Sequence, residues 1–236
     1  MATVWSASKK RYHPNHKIKI VSNLNTYIEH TLLKPTATVD NIVTLCKEAK
    51  RYNFYGVCVN SCYVYLAATE LKKHSPKVIS TVGFPLGTAS LRAKVEEATQ
   101  AINDGADEID MVINLGFLKS QLTKSAIEEI KAVKKAIGSH ILKVIIETCY
   151  LDDAEIILAC EIVRLAGADF VKTSTGFGPK GALLKDVELI RKNIKPPLGI
   201  KASGGIKTTK QAVAFIMAGA SRLGTSNGIA IIQKNN

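Results

Sequence analysis

The sequence contains no apolar run close to the about 20 residues that a membrane-spanning helix requires, so we expect no association with a membrane. Its N-terminus lacks an apolar core followed by small residues, so we expect no secretory signal. The five cysteines include no Cys-x-x-Cys pair, and this odd number predicts reduced thiols in the cytoplasm. Clustered Cys and His ligands are also missing, so we predict no metal site.

Aromatic residues are scarce, at 6%, whereas 32 Lys and Arg against 20 Asp and Glu give a formal net charge of +12. This excess attracts anions in general, including nucleic acids and phosphorylated metabolites. A nucleic-acid-binding protein needs clustered basic residues beside aromatic side chains that stack on bases, but here the charge is spread along the chain. We therefore expect no specific nucleic-acid partner. Residues 1–22 are polar and basic, and we expect them to form a flexible arm.

Proline- and glycine-rich linkers are absent, so we place residues 23–236 in one catalytic domain. Within it, β-branched runs alternate with segments of helical period. Strands are predicted at residues 28–33, 56–60, 78–84, 108–113, 142–148, 170–175, 198–203 and 222–226. Helices are predicted at 39–51, 63–73, 91–103, 124–136, 153–165, 185–193, 209–217 and 229–233. Eight strand–helix units predict an α/β fold, a single (β/α)8 TIM barrel, with an open doubly wound sheet as the alternative because spacing does not give strand order.

Charged residues occupy positions that strand alternation assigns to the interior of this barrel. In the fourth strand Ile109 would face the helices, which turns Glu108 and Asp110 inward. The same reasoning places further charged residues inside: Glu29, Lys143, Glu147, Lys172 and Lys201. Unpaired charges are costly to bury, so these must neutralise one another or line a wet cleft. For Glu108, Lys143 and Glu147 a purely structural ion-pair network is an equal alternative.

Lys172 and Lys201 fall late in their strands, near the carboxyl end of the barrel, where active sites of this architecture are built. A free lysine is protonated at neutral pH, but burial and a neighbouring ammonium both favour the uncharged amine. Such an amine attacks a carbonyl carbon and forms an iminium, which is an electron sink for carbon–carbon cleavage. A nearby carboxylate such as Asp110 would move the protons. The paired lysines therefore predict a Schiff-base enzyme.

Glycine and hydroxyl residues lie at or just after the ends of the last three strands: Gly176 after strand six, Gly204 and Gly205 after strand seven, and Thr225 and Ser226 at strand eight. Glycines let backbone N–H groups approach an anion, and a helix that begins after the eighth strand would add its dipole. The loops after strands seven and eight are the usual phosphate site of this barrel. A simple turn explains each glycine equally well by itself, but the group and the lysines together predict a phosphorylated substrate.

Several segments together resemble the deoxyribose-phosphate aldolase family. They are 169–176 (DFVKTSTG), 199–205 (GIKASGG), 105–110 (GADEID), 142–148 (LKVIIET), 28–35 (IEHTLLKP) and 57–60 (VCVN). They follow the family's order and extend over most of the chain. The KTSTG strand combined with a second lysine just before Gly-Gly is the specific part of the resemblance, since Gly-Gly alone would mean little.

The resemblance implies a class I aldolase that reversibly cleaves 2-deoxy-D-ribose 5-phosphate to D-glyceraldehyde 3-phosphate and acetaldehyde, without a metal or organic cofactor. It implies that Lys172 forms the Schiff base, that Lys201 favours the uncharged form of Lys172, and that Asp110 relays protons. The implied substrate contacts are Glu29, Thr31, Cys58, Lys143 and Thr173, and the implied phosphate contacts are Gly176, Gly204, Gly205, Thr225 and Ser226. It also implies a homo-oligomer, either a dimer or a tetramer.

Three positions depart from the family's pattern. Glu29 stands where many relatives carry Asp, Phe177 where some carry Lys, and Lys207 where Arg is frequent, so we expect contacts to hydroxyl and phosphate groups to differ.

Two other classes of protein stay open as alternatives. One is a different barrel enzyme acting on a phosphorylated sugar, such as another Schiff-base aldolase or an isomerase with a Glu or His base. The other is a basic binding protein. We expect His30 to face outward and to be structural.

Overall fold

The computed structural model describes residues 22–233, in which eight parallel strands form a closed barrel. The strands are β1 (Ile28–Leu32), β2 (Gly56–Val59), β3 (Lys77–Val82), β4 (Glu108–Val112), β5 (Ile141–Ile145), β6 (Phe170–Lys172), β7 (Gly199–Ser203) and β8 (Arg222–Thr225). Each strand pairs with its neighbour in sequence, and β8 closes the barrel on β1, with Ile28 opposite Leu223. The predicted (β/α)8 barrel is confirmed, and the open sheet is wrong.

Helices cover the outside of the barrel. They are α1 (Val39–Tyr52), α2 (Val64–Glu70), α3 (Leu91–Asn103), α4 (Leu115–Lys119), α5 (Thr123–Ala136), α6 (Asp153–Leu165), α7 (Leu184–Asn193), α8 (Thr209–Met217) and α9 (Gly228–Gln233). Capping boxes on Thr38, Asp152 and Thr208 fix the starts of α1, α6 and α8. Within residues 22–233, every helix is too short or too polar to cross a membrane.

Some predicted boundaries are wrong. The strands predicted at 78–84 and 142–148 end earlier, because Gly83 (φ 62°) and Glu147 (φ 51°) adopt the left-handed conformation. The helix predicted at 63–73 is shorter at both ends, and α4 was not predicted. Residues 173–175 leave β6, although the Thr173 N–H still donates to the Lys201 carbonyl at 3.0 Å. The predicted arm lies almost entirely outside the described residues, so the domain boundary near residue 22 stays a prediction.

The buried apolar residues form two regions, one outside the barrel strands and one inside them. The outer one, between strands and helices, contains alternate strand residues such as Ile109, Met111, Val144, Ile146, Val171 and Ile200. The inner one is small and consists of Leu33, Cys58 and Ile79, with Phe84 packed against them. Burying each large aliphatic side chain contributes roughly 1.5–3 kcal/mol. His30 faces outward as predicted, with Nε2 2.7 Å from Oε2 of Glu48 on α1.

Candidate active site

The charged residues that alternation assigned to the interior lie inside the barrel, and all of them except Glu147 meet there. Asp110 on β4 stands opposite Lys143 on β5, and Lys172 on β6 stands opposite Lys201 on β7. Neighbouring strands lie about 4.8 Å apart, so side chains from paired positions on one face converge. All four residues are between 0% and 2% exposed. Their charges therefore interact largely without screening by water.

Asp110 is the centre of this cluster, because it contacts all three interior lysines. Its Oδ2 accepts hydrogen bonds from Lys172 Nζ at 2.8 Å and from Lys201 Nζ at 2.5 Å. Its Oδ1 accepts one from Lys143 Nζ at 2.9 Å. One carboxylate thus holds three amino groups in fixed positions.

Glu29 on β1 completes a ring of alternating charges. It forms ion pairs with Lys201 and, at 3.5 Å, with Lys143. Because both lysines also contact Asp110, two acids and two lysines form a closed, charge-balanced ring. Lys172 is attached to this ring through Asp110. Buried charges need such pairing, since an isolated one costs several kcal/mol.

The ring fixes the charge state of its members. Burial alone would raise the pKa of Asp110, but the cations of Lys143, Lys172 and Lys201 hold it well below its ordinary value. Burial alone would lower the pKa values of Lys143 and Lys201, but the carboxylates of Asp110 and Glu29 outweigh it and raise both. Asp110 is therefore a carboxylate at neutral pH, and Lys143 and Lys201 are ammonium ions.

A second group closes the amino-terminal end of the barrel below the ring. Glu108 lies 2.5 Å from Lys143 and accepts a hydrogen bond from the Tyr55 hydroxyl. The guanidinium of Arg222 lies 3.5 Å from the centre of the Tyr55 ring and 3.8 Å from Glu29. Sequence reasoning missed Tyr55 and Arg222. Arg222 was detectable, because it shares the inner face of its strand with Gly224.

A cavity of about 300 Å³ opens at the carboxyl end of the barrel above Lys172. It is lined by residues of β1, β6, β7 and β8 and the loops after them, including predicted residues Thr31, Lys172, Gly176, Gly204, Gly205, Thr225 and Ser226. Lys34, Ser203 and Lys207 also line it. Of these three, only Lys207 had been singled out from the sequence. The predicted nucleophile and the predicted phosphate residues thus share one cavity.

The glycines of this cavity are required by the backbone. Gly176, Gly204 and Gly205 have φ values of 88°, 87° and 76°, a region that favours glycine. A Cβ atom on Gly181 would lie 2.2 Å from the Gly204 carbonyl oxygen, so the two loops approach as closely as glycine permits. These glycines therefore do form turns, as the simpler explanation of each one required. The same turns form the wall of the cavity.

Glu147 supports the loop after β6 from below. It is 3% exposed, and its carboxylate accepts hydrogen bonds from the backbone N–H of Thr175, at 3.1 Å, and from the Thr175 hydroxyl. The same hydroxyl accepts a hydrogen bond from the backbone N–H of Phe177 at 3.0 Å. Glu147 also has a left-handed φ of 51°, and strained residues of this kind cluster at functional sites. Glu147 thus belongs to the support of the cavity and not to the ring of charges.

Four predicted substrate contacts lie beneath the cavity and do not line it: Glu29, Cys58, Lys143 and Thr173. Glu29 and Lys143 belong to the charged ring. The Thr173 hydroxyl is engaged with the backbone of Ser203. Cys58 Sγ lies 3.9 Å from Asp110 Oδ2, and burial raises its pKa to about 11, so it is a thiol at neutral pH. The direct substrate contact implied for these four residues stays a prediction.

One group of potential metal ligands lies at the same place. Ligand atoms of Glu29, Cys58 and Asp110 lie within 4.8 Å of one another. The two carboxylates, however, are already paired with Lys143 and Lys201, whose charges would repel a cation. The residues present therefore suit lysine chemistry better than a divalent metal ion.

Comparison with known proteins agrees with this geometry. Residues 23–234 match the family described as DeoC/LacD family aldolase. A deoxyribose-phosphate aldolase of Thermotoga petrophila is 51% identical over 222 residues, 94% of this chain and 90% of that protein. One of Thermococcus gammatolerans is 54% identical over 212 residues, 88% and 94% of the two chains. The deoxyribose phosphate aldolase structure from Aeropyrum pernix superposes with a TM-score of 0.86 at 34% identity, covering 92% and 93% of the chains. The chain belongs to the DeoC/LacD aldolase family.

Proposed function

We propose that this protein is a class I aldolase that reversibly cleaves 2-deoxy-D-ribose 5-phosphate to D-glyceraldehyde 3-phosphate and acetaldehyde. The proposal rests above all on Lys172, which lines the cavity and shares the Asp110 carboxylate with a second lysine, Lys201. The names of the Thermotoga petrophila and Thermococcus gammatolerans relatives support the same activity.

The phosphate group binds at the glycine-rich side of the cavity. The proposed contacts are Gly176, Gly204, Gly205, Thr225 and Ser226, which line this side. Backbone N–H groups in such concave turns bind anions, and Lys34 and Lys207, which also line the cavity, add positive charge. A phosphate held there leaves the C1 aldehyde of the sugar directed toward Lys172.

In the first half of the reaction, the uncharged amine of Lys172 adds to the C1 carbon and forms a carbinolamine. The carbinolamine hydroxyl then takes up a proton and leaves as water, and an iminium remains on Lys172. Lys201 keeps its proton and donates, like Lys172, to Asp110 Oδ2, so a fixed cation stands beside the attacking amine.

In the second half, Asp110 accepts the proton of the C3 hydroxyl, directly or through water. The C2–C3 bond breaks and its electron pair moves toward the iminium nitrogen. D-Glyceraldehyde 3-phosphate departs and an enamine stays on Lys172. Protonation at C2 and addition of one water molecule then release acetaldehyde and the free amine. The cycle consumes no oxidant or reductant, so we propose no cofactor.

Two properties outside the site complete the proposal. The Aeropyrum pernix structure is described as tetrameric, and we propose that this chain also assembles into a homo-oligomer. All five cysteines are unpaired, which supports a cytoplasmic location. Sedimentation velocity tests the first property directly, because a monomer at assay concentration would contradict it.

Borohydride trapping tests the mechanism. Protein is reduced with acetaldehyde at low concentration and digested for mass spectrometry, with the exposed Lys180 as reference for non-specific alkylation. We expect an ethyl adduct at Lys172 far above that at Lys180, and its loss in Lys172→Leu. An adduct at Lys201 instead would exchange the roles of the two lysines. A folded protein that forms no selective adduct and does not cleave 2-deoxy-D-ribose 5-phosphate would overturn the proposed function.

A further inference from the structure

Two phenylalanines from distant loops meet over the mouth of the barrel. Phe84 follows β3, and Phe177 lies in the loop after β6. Their ring centroids are 5.3 Å apart and their planes cross at 89°, an edge-to-face contact. Strands β4 and β5 stand between β3 and β6, so this contact spans the mouth of the barrel above those two strands. The pair of Phe84 and Phe177 is called the aromatic roof below.

The open cavity lies beside the roof and is bordered by Phe177. Its lining residues come from β1, β6, β7 and β8 and their loops, and strands β2 to β5 contribute none. Under the roof lies the inner apolar cluster of Leu33, Cys58 and Ile79, against which Phe84 packs. Leu33 belongs to this cluster and also lines the cavity. The apolar cluster thus continues the cavity wall on the side away from the glycine loops.

The amine of Lys172 stands at the border between the open cavity and the apolar cluster. Its Nζ is 2.8 Å from Asp110 Oδ2, and Cys58 Sγ is 3.9 Å from the same oxygen. A carbonyl carbon bound to Lys172 therefore has phosphate-binding loops on one side. On its other side it has a fully buried apolar wall of Cys58 and Ile79, both 0% exposed.

Polar contacts hold both halves of the roof in place. On the β6 side, the backbone N–H of Phe177 donates to the Thr175 hydroxyl, which donates to buried Glu147. On the β3 side, the N–H of Gly83 donates to Glu97 at 2.8 Å. Lys94 packs so closely that a Cβ atom on Gly83 would lie 2.8 Å from its Cε. The roof is therefore fixed by its surroundings and does not depend on the ring contact alone.

We propose that the aromatic roof of Phe84 and Phe177 limits the size of the aldehyde fragment that remains on Lys172, and so makes the enzyme selective for a two-carbon donor. This inference rests on the proposed function. The phosphorylated fragment leaves through the open cavity, whereas the enamine fragment stays against the wall of Leu33, Cys58 and Ile79. An additional methyl group on that fragment has to displace the wall or the roof. Rejection of one extra methylene by a packed pocket amounts to about 10- to 200-fold in kcat/KM.

The test measures donor preference in the synthetic direction. Propanal, which has one carbon more than acetaldehyde, and acetaldehyde are each added to D-glyceraldehyde 3-phosphate by the native protein, Phe177→Ala and Phe84→Leu. Phe177 is 52% exposed, so its truncation leaves the buried core unchanged. Leu165→Ala is the matched control, because Leu165 is 44% exposed at the end of α6, on the opposite face of the barrel.

We expect the native protein and Leu165→Ala to prefer acetaldehyde by about 10-fold or more, and both roof variants to reduce this preference by about 10-fold. An unchanged preference in folded Phe177→Ala, or equal use of both donors by the native protein, would overturn the role of the roof. Either result would leave the proposed function intact if 2-deoxy-D-ribose 5-phosphate is still cleaved. Absence of cleavage by the native protein would remove both proposals. A preference reduced equally in Leu165→Ala would also contradict a specific role of the roof.

Discussion

Lys172 and Lys201 stand opposite each other in the register of β6 and β7, and both donate to the same oxygen, Oδ2 of Asp110. The proposed nucleophile and a lysine that stays charged are thus joined through one acceptor. A change at any of the three groups is expected to alter both the reaction and the stability of the barrel. The two effects can be measured separately.

Asp110→Asn removes the central anion with little change in shape. We expect kcat for cleavage to fall by about 10²- to 10⁴-fold, the usual contribution of a positioned acid or base. The free energy of unfolding should fall by about 3–5 kcal/mol, because buried ammonium groups lose their common counter-ion. Steady-state kinetics and urea titration measure the two effects. Asp104→Asn, at the C-terminal end of α3 and outside the ring, should change neither, and a fully active Asp110→Asn would contradict the proton role.

Lys201→Met separates the electrostatic role of this lysine from its structural role. Alone, it leaves Glu29 and Asp110 with one cation fewer, so we expect losses of both stability and activity. The double variant Lys201→Met/Glu29→Gln removes one acid with the lysine and should regain part of the stability. Activity should stay low, because the cation beside Lys172 is still missing. Recovery of activity together with stability would show that Lys201 acts only as a structural partner.

The charged ring predicts how stability depends on pH. The folded-state pKa of Asp110 is lowered. The stabilisation from its carboxylate is therefore complete above the unfolded pKa of ~3.9 and is lost as pH falls further. The folded-state pKa values of Lys143 and Lys201 are raised. The stabilisation from these two lysines is therefore complete below ~10.4 and is lost as pH rises through the folded values. We expect a plateau of unfolding free energy between these limits. Asp110→Asn should show a weaker loss in acid, and equal acid dependence in both proteins would argue against a buried Asp110 anion.

Glu147→Gln tests the support of the loop after β6. The substitution weakens acceptance from the Thr175 N–H and hydroxyl, so we expect the loop that contains Gly176 to lose its position. A hydrogen bond to a charged group contributes about 1.5–3 kcal/mol, so KM for the phosphorylated substrate should rise by about 10- to 100-fold. Activity toward unphosphorylated 2-deoxy-D-ribose should change much less. Glu128→Gln on the exposed face of α5 is the control, and equal losses with both sugars would contradict a phosphate-specific role.

Alternation along strands was sufficient to predict the interior charges. Asp110, Lys143, Lys172 and Lys201 follow from the neighbouring apolar residues of the same strands, because in this barrel the outward face must be apolar. The sequence did not reveal which acid contacts which lysine. That depends on strand order and register, which fix Asp110 opposite Lys143. The clustering of cavity residues at one end followed from the parallel arrangement.

Contacts between loops were not predictable in the same way. Phe84 was assigned to the end of a strand, and its partner Phe177 attracted notice only as a departure from the family pattern. Their contact depends on where Gly83 and Glu147 turn the chain, and a left-handed Glu gives no signal in a single sequence. Helix α4 was missed because five residues are too few to show a helical period.

The ring of alternating charges also couples folding to activity. Its four members, Glu29, Asp110, Lys143 and Lys201, come from β1, β4, β5 and β7, so no partly assembled barrel can satisfy all of them. A chain with β1 detached would bury Lys143 and Lys201 short of one counter-ion. Such a state is costly, which sharpens the transition between the closed barrel and the open chain. The arrangement around Lys172 is thus complete only when the barrel is closed, so the folded barrel and the proposed active site form together.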